Sequence, residues 1–213
     1  MSGLAPIEAG AQASSGPRSE SQPPTPGDAA LAPGSARARA IWRVRAAVHE
    51  DAPAVAAAVG KLLVELGGTP PPVAAMQAAA LALLDDREAG ALLVADTGGG
   101  GLGVHIEAGI VEADTSKVEE AVVGVLGASW QSAIHAPGRY GLIQDLWVHP
   151  SWRGSGVGGG LLAALFELAR ERGVERLEVG LPRTSFGGLA ATEAFYLASG
   201  FTTLGTRMRR ILA

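Results

Sequence analysis

The chain has 213 residues, 47% of them hydrophobic, a formal charge of −4 and no cysteine. That length holds one domain of ordinary size. The lack of cysteine excludes disulfides, thiolate metal sites and a cysteine nucleophile; the acidic balance weighs against nucleic acid, whose capture rests on clustered Lys and Arg; and no apolar run approaches the roughly 20 residues of a membrane-spanning helix.

Six of the thirteen prolines fall in residues 1–38, separated by Ser, Gly and Ala with almost no large apolar side chains. Such a segment cannot bury enough surface to offset the entropy of ordering it, so a disordered tail is expected ahead of a domain over residues 40–213. Its first residues carry neither a basic cluster nor a continuous apolar stretch, so no secretory signal is read there and a cytoplasmic location is expected.

From residue 40 the pattern becomes regular. "AIWRVRAA" alternates as a strand does, and His49, Glu50 and Asp51 ahead of Pro53 mark a helix start. "AVAAAVGKLLVELGG" then predicts an amphipathic helix closed by Gly67 and Gly68, and "VAAMQAAALALLDD" a second helix. "GALLVAD" predicts a short buried strand, and the Gly-rich, then acidic stretch from Thr97 to Glu120 an inserted loop or hairpin. "AVVGVLGASWQSAI" and "YGLIQDLWVHP" predict two strands around a turn at "HAPGR". A helix over "GVGGGLLAALFELARERG", a strand over "VERLEVGLP", a helix over "GGLAATEAFYLASG" and a closing pair of short strands over "FTTLGTRMRRILA" complete the order β-α-α-β-β-β-α-β-α-β.

The informative segment is the join between "DLWVHP" and the third helix. Arg153 is followed by five glycines, at 154, 156, 158, 159 and 160. The first amides of a helix have no intrahelical acceptor, and the helix dipole adds partial positive charge there, so such an end suits a phosphate. Glycines let the amides converge without Cβ atoms in the way. The plainer reading is a strand-to-helix connection whose glycines only permit close packing. "GSGVGG" also fits the dinucleotide pattern G-x-G-x-x-G, but "HPSWR" separates it from its strand and the following strand ends in "GLPR" without the acidic ribose ligand. No Lys-Ser or Lys-Thr follows the glycines, so it is not a Walker loop.

With Arg153, Gly156 and Gly158 in the spacing Arg-x-x-Gly-x-Gly, the segment "DLWVHPSWRGSGVG" resembles the pyrophosphate loop of the GNAT N-acetyltransferases, which use acetyl-coenzyme A. "AFYLASGF", about 40 residues on, resembles that family's late helix. In motif spacing the chain is most similar to the polyamine-type and other small-amine enzymes. The resemblance implies an α/β GNAT fold, a mixed, splayed sheet flanked by helices. It implies that Arg153, Gly154, Ser155, Gly156, Val157, Gly158 and Gly159 hold the pyrophosphate, Arg153 adding charge or fixing the loop. Leu146, Trp147 and Val148 would pair with the pantetheine arm, the Val148 amide donating to the thioester carbonyl. Tyr196 would protonate the departing thiolate, and no metal is implied.

For the base, related enzymes often carry Glu-Asp where this chain has Gln144 and Asp145. Strand alternation places those two side chains on opposite faces, so Gln144 is expected to orient substrate while Asp145 is a candidate base or a supporting residue. Leu189 replaces the family's asparagine seven residues before the tyrosine. His49, His105, His135 and His149 share no metal-ligand spacing; His149 borders the expected thioester site. The acidic group Glu107, Glu112, Asp114, Glu119 and Glu120 reads as a solvated loop that could also draw a cation by its field. The expected partner is a small-molecule primary amine, with a peptide or protein amine second, no nucleic acid and no membrane; a homodimer stays open. An acyl-coenzyme A-binding regulatory module and, third, a nicotinamide oxidoreductase are the competing classes.

Overall fold

The computed structural model describes residues 39–98, 106–112, 121–134 and 136–205, without the side chains of 39–41, 106–112, 136 and 137. The expected tail, residues 1–38, lies outside the described residues. The elements run β1 (Arg39–Ala46), α1 (Ala52–Glu65), α2 (Val73–Asp85), β2 (Gly90–Asp96), β3 (Ile106–Glu112), β4 (Val122–Ala133), β5 (Ala136–Val148), α3 (Val157–Glu171), β6 (Val174–Val179) and α4 (Leu189–Ala198). The strands form one sheet in the order β3-β1-β2-β4-β5-β6. Only β5 and β6 pair in parallel; all other neighbours are antiparallel. The parallel pair needs a long crossover, and α3 supplies it.

Period-two alternation sorts the central strands onto two cores. Ala91, Leu93 and Ala95 of β2 join Leu126, Ala128 and Trp130 of β4 beneath Val157, Leu161, Leu162, Leu165 and Ala169 of α3. Leu92 and Val94 join Val125, Trp147 and, from α1, Val55 and Ala58 on the opposite face. β2 is therefore buried along its whole length, as expected of a strand covered on both sides, and each Leu or Val so buried contributes roughly 1.5–3 kcal/mol. The α3 side chains recur every three or four positions, which keeps them on one stripe. At Gly124 an added Cβ would stand 2.8 Å from Val157 and 3.0 Å from Leu161, so the glycine lets α3 lie close on β4. No helix among the described residues is long and apolar enough to cross a membrane.

A buried ion cluster fixes the entry to α1. Arg45 donates to both oxygens of Asp51 at 2.6 and 2.9 Å and to Asp96 at 2.5 Å, while Arg43 reaches Asp96 at 3.1 Å. Asp51 also accepts the Val48 amide at 2.8 Å. Burial pushes the Asp51 carboxyl upward, but the bonds from Arg45 and the Val48 amide outweigh it and hold the group below its ordinary value.

Three expectations need correction. The stretch read as an inserted loop or hairpin contains β3, an edge strand paired with β1 rather than with its neighbour in sequence; that partner lies some 60 residues earlier, beyond the reach of local pattern. The turn expected at "HAPGR" is shorter, because β5 already begins at Ala136. Of the segment expected to form closing strands, residues 201–205 have no regular structure, and 206–213, with Arg207 and Arg209, lie outside the described residues.

Replacing Arg45 with Met should strand the buried Asp51 carboxylate, leave Asp96 with Arg43 alone, and lower unfolding free energy by about 3 kcal/mol in urea titration at pH 7. Asp51 has a depressed folded pKa, so its contribution is present above its unfolded pKa and is lost as pH falls through the folded one. The gap between parent and variant should therefore narrow in acid; an equal midpoint at pH 7 would contradict the assignment.

Candidate active site

β5 changes character at residue 144. Its pairing with β4 slips between Ala128, opposite Ile143, and Gly127, opposite Asp145, so Gln144 is an extra residue, a β-bulge. The bulge resets the alternation. Ile143, Leu146 and Val148 pack with the α3-side core and Trp147 with the α1 side. Gln144 Nε2 reaches Ser129 Oγ at 2.8 Å, and Asp145 stands over Gly127, where an added Cβ would be 3.4 Å from its Oδ2 and 3.9 Å from Leu92. Leu92 belongs to the α1 side, and Ser129 and Gly127 share one face of β4. Gln144 and Asp145 thus lie on the same face, contrary to plain alternation.

The two side chains differ in partners. Gln144 joins a polar chain in which Ser129 Oγ also accepts from Gln131 Nε2, and Gln131 accepts from the Tyr140 hydroxyl. Asp145 has no hydrogen-bond partner among the described residues, and burial pushes its carboxyl above the ordinary value. A desolvated carboxylate facing a glycine is poised to take a proton.

The outer edge of β5 is open at the same level. Its parallel pairing with β6 ends at Ile143 opposite Val179, while β5 runs on to Val148. The His149 amide bonds to the Val123 carbonyl at 2.9 Å, on the β4 side. Strand amides alternate in direction, so Trp147 points toward β4 and the Leu146 and Val148 amides point to the open edge. The Val148 carbonyl on that edge is taken by Arg153 Nε at 3.1 Å. Its amide has no acceptor among the described residues.

The loop that follows is wound so that alternate amides face outward. Those of Trp152, Arg153 and Ser155 turn inward to the carbonyls of His149, Pro150 and Trp152 at 2.8, 3.3 and 3.3 Å. Gly154 and Gly156 take φ of +77° and +88°, conformations for which glycine has no Cβ penalty. The amides of Gly154, Gly156, Val157, Gly158 and Gly159 have no acceptor among the described residues, and Gly160 is the first to bond back, to the Gly156 carbonyl at 2.9 Å. Cβ atoms at Gly154 or Gly159 would meet only open space. This cradle fits a diphosphate. Ser155 is the exception within the expected set, since its amide and its hydroxyl both bond to the Trp152 carbonyl.

Arg153 fixes the loop rather than lending it charge. Besides the bond to Val148, its Nη2 meets both oxygens of Glu65, at the end of α1, at 2.8 and 2.6 Å. Trp147 Nε1 donates to the same carboxylate at 3.3 Å. Sequence reasoning missed Glu65, and its position on the exposed side of a helix gave no signal.

From the other face, α4 brings aromatic side chains to the gap. A Cβ on Gly158 would stand 3.2 Å from Phe195 and 3.7 Å from Val148, so Phe195 lies against the first turn of α3 and the free edge. Tyr196 is buried between Phe195 and Phe201, with centroids 5.2 and 5.3 Å away. Its hydroxyl makes no hydrogen bond among the described residues, and burial pushes its pKa up to about 12. The group is protonated at neutral pH. His149 is placed edge-on to Trp147 and accepts the Ser151 amide through Nδ1 at 3.3 Å. An open groove of about 350 Å³ lies alongside, lined by Glu65, Leu66 and Gly67 of the α1 end and by Arg183 and Ser185–Gly188.

Residues 105–201 match the model of the acetyltransferase (GNAT) family. The fold agrees. An Arthrobacter sp. FB24 protein assigned as an acetyltransferase is 25% identical, with a TM-score of 0.58 over 79% of this chain and 95% of that one. A predicted acetyltransferase of Clostridium acetobutylicum, solved with acetyl-CoA, is 14% identical, TM-score 0.57, over 80% and 96%. An aminoglycoside acetyltransferase from an uncultured soil sample, solved with sisomicin, is 16% identical, TM-score 0.55, over 81% and 97%. No curated protein sequence matches the chain. Residues 105–201 thus carry the GNAT acetyltransferase match, and the sheet with its flanking helices is that family's α/β fold.

Two substitutions separate the cradle from its brace. Gly156→Asp puts a side chain on a positive φ and a negative charge among the free amides, and should abolish coenzyme A binding in calorimetry. Glu65→Gln should weaken binding only by about tenfold, because the amides remain while Arg153 loses its partner; full affinity in the first variant would refute the cradle.

Proposed function

We propose that the protein transfers an acetyl group from acetyl-coenzyme A to a primary amine of a small molecule, directly, in a complex holding both. The observation that supports this best is the open edge of β5. There the Val148 amide has no acceptor among the described residues, Phe195 of α4 lies beside the adjoining first turn of α3 with Tyr196 packed against it, and Asp145, desolvated on the α1 side, stands three residues earlier on the strand.

When bound, the coenzyme supplies an acetyl thioester. The amides of Gly154 and Gly156–Gly159 would hold its diphosphate, and Leu146 and Val148 would pair with the pantetheine amides as a neighbouring strand does. The Val148 amide donates to the acetyl oxygen, where negative charge grows as the amine attacks. Asp145 takes a proton from the acceptor ammonium, directly or through one water, freeing the lone pair that forms the C–N bond. As the C–S bond breaks, Tyr196 gives its proton to sulfur and regains one from solvent. Gln144, held by Ser129 beside Asp145, is suited to orient the acceptor. Each group keeps one proton state before the step: Asp145 charged above its raised pKa, Tyr196 neutral.

Release of coenzyme A from acetyl-coenzyme A across a panel of primary amines tests the reading; no release with any amine would sink it. Asp145→Asn should cut kcat by roughly 100-fold and remove the acid limb of the pH–rate profile. The same variant should be more stable at pH 7. A raised folded pKa means that stability is fully present below the unfolded pKa and is lost as pH rises through the folded one, and Asn escapes that loss. A variant that loses activity without gaining in melting temperature would speak against a desolvated base.

Tyr196→Phe should lower kcat by about tenfold or more while leaving acetyl-coenzyme A affinity within about twofold. Equal turnover would remove Tyr196 from the proton path.

A further inference from the structure

The charges around the groove beside the β5 edge limit what can enter it. Its volume, about 350 Å³, suits a small ligand. One of its walls, Glu65, bonds to Trp147 Nε1 and to Arg153, so the groove opens next to the residue before Val148. Two charged side chains line it, Glu65 and Arg183. Glu65 is neutralised by the two contacts from Arg153 at 2.8 and 2.6 Å. Arg183 is not: its Nη2 donates to the Leu66 carbonyl at 2.7 Å, and no carboxylate pairs with it among the described residues.

That single bond holds the guanidinium in place without using it up. Gly67, at φ +72°, is the residue that lets it sit there, since a Cβ would lie 3.2 Å from Arg183 Nη2. A guanidinium carries five N–H donors in a planar fork matched to a carboxylate, and this one retains donors beyond the one given to Leu66. A polycation would meet Arg183 and find the only groove carboxylate engaged. Leu66 and Phe186 add apolar wall to the same groove.

Building on the acetyl-transfer reading, we infer that the acceptor carries a carboxylate as well as its amine, as an amino acid or close derivative does, and that Arg183 receives that carboxylate. The amine then points toward Asp145 and the free edge of β5. Arg183 is a specificity residue for the acceptor and has no part in holding coenzyme A.

Calorimetry on the coenzyme A-saturated full chain tests this with matched pairs, leucine against isoamylamine and phenylalanine against phenethylamine, and with spermidine as the polycation. The carboxylate members should bind at least about tenfold tighter than their partners. Arg183→Gln should erase the difference, Arg183→Lys should restore part of it, and neither should change coenzyme A affinity. The inference falls if isoamylamine, phenethylamine or spermidine binds as well as the amino acids, if the preference survives in Arg183→Gln, or if no carboxylate compound binds. Carboxylate-dependent binding without coenzyme A release from acetyl-coenzyme A would uphold the Arg183 site and overturn the acetyl-transfer reading alone.

Discussion

Beyond Ile143, β5 keeps one hydrogen-bonded neighbour and loses the other. A strand edge of this kind presents unpaired N–H and C=O groups that water, another chain or an amide-bearing ligand must satisfy. In this molecule the open edge is short, is bordered by a loop with five further free amides, and is flanked by side chains from both faces of the sheet. At this level Asp145 lies on the α1 face, over Gly127, and Phe195 of α4 lies on the α3 face, against Gly158.

Holding that edge open requires rigidity nearby. The Arg153 fork does much of it, by occupying the Val148 carbonyl and clasping Glu65 of α1. α1 is thereby fastened to the glycine-rich loop. Trp147 adds a second fastening to the same carboxylate and is buried against α1. At the start of α1 the Arg45 cluster on β1 and β2 sets where the helix begins, while Arg153 and Trp147 set where it ends. The helix that walls the groove is consequently tied at both ends by charged groups.

Much of this was legible in the sequence. Glycine density behind Arg153, ahead of an amphipathic run, marked the loop, whose amides at Gly154 and Gly156–Gly159 have no acceptor among the described residues. The role of the "LWV" triplet came from the family resemblance alone, since nothing in its residue types marks an open edge. What escaped was non-local or irregular. Glu65 lies 88 positions from Arg153, and β3 pairs with a distant strand. The bulge at Gln144 breaks the alternation on which face assignments rest. A signal for it was present: two successive polar residues, Gln144 and Asp145, interrupt an apolar strand. Ser155 was misjudged because a loop's residue types do not say which of its amides turn inward.

The most direct test of the central claim is a backbone amide titration of the full chain with coenzyme A, followed by ¹H–¹⁵N correlation spectroscopy. The largest shifts are predicted at Leu146, Val148, Gly154 and Gly156–Gly159, with Trp147 and Ser155, whose amides point away, much less affected. Shifts confined to other parts of the chain, or an equal response at Ser155 and Gly156, would contradict the account.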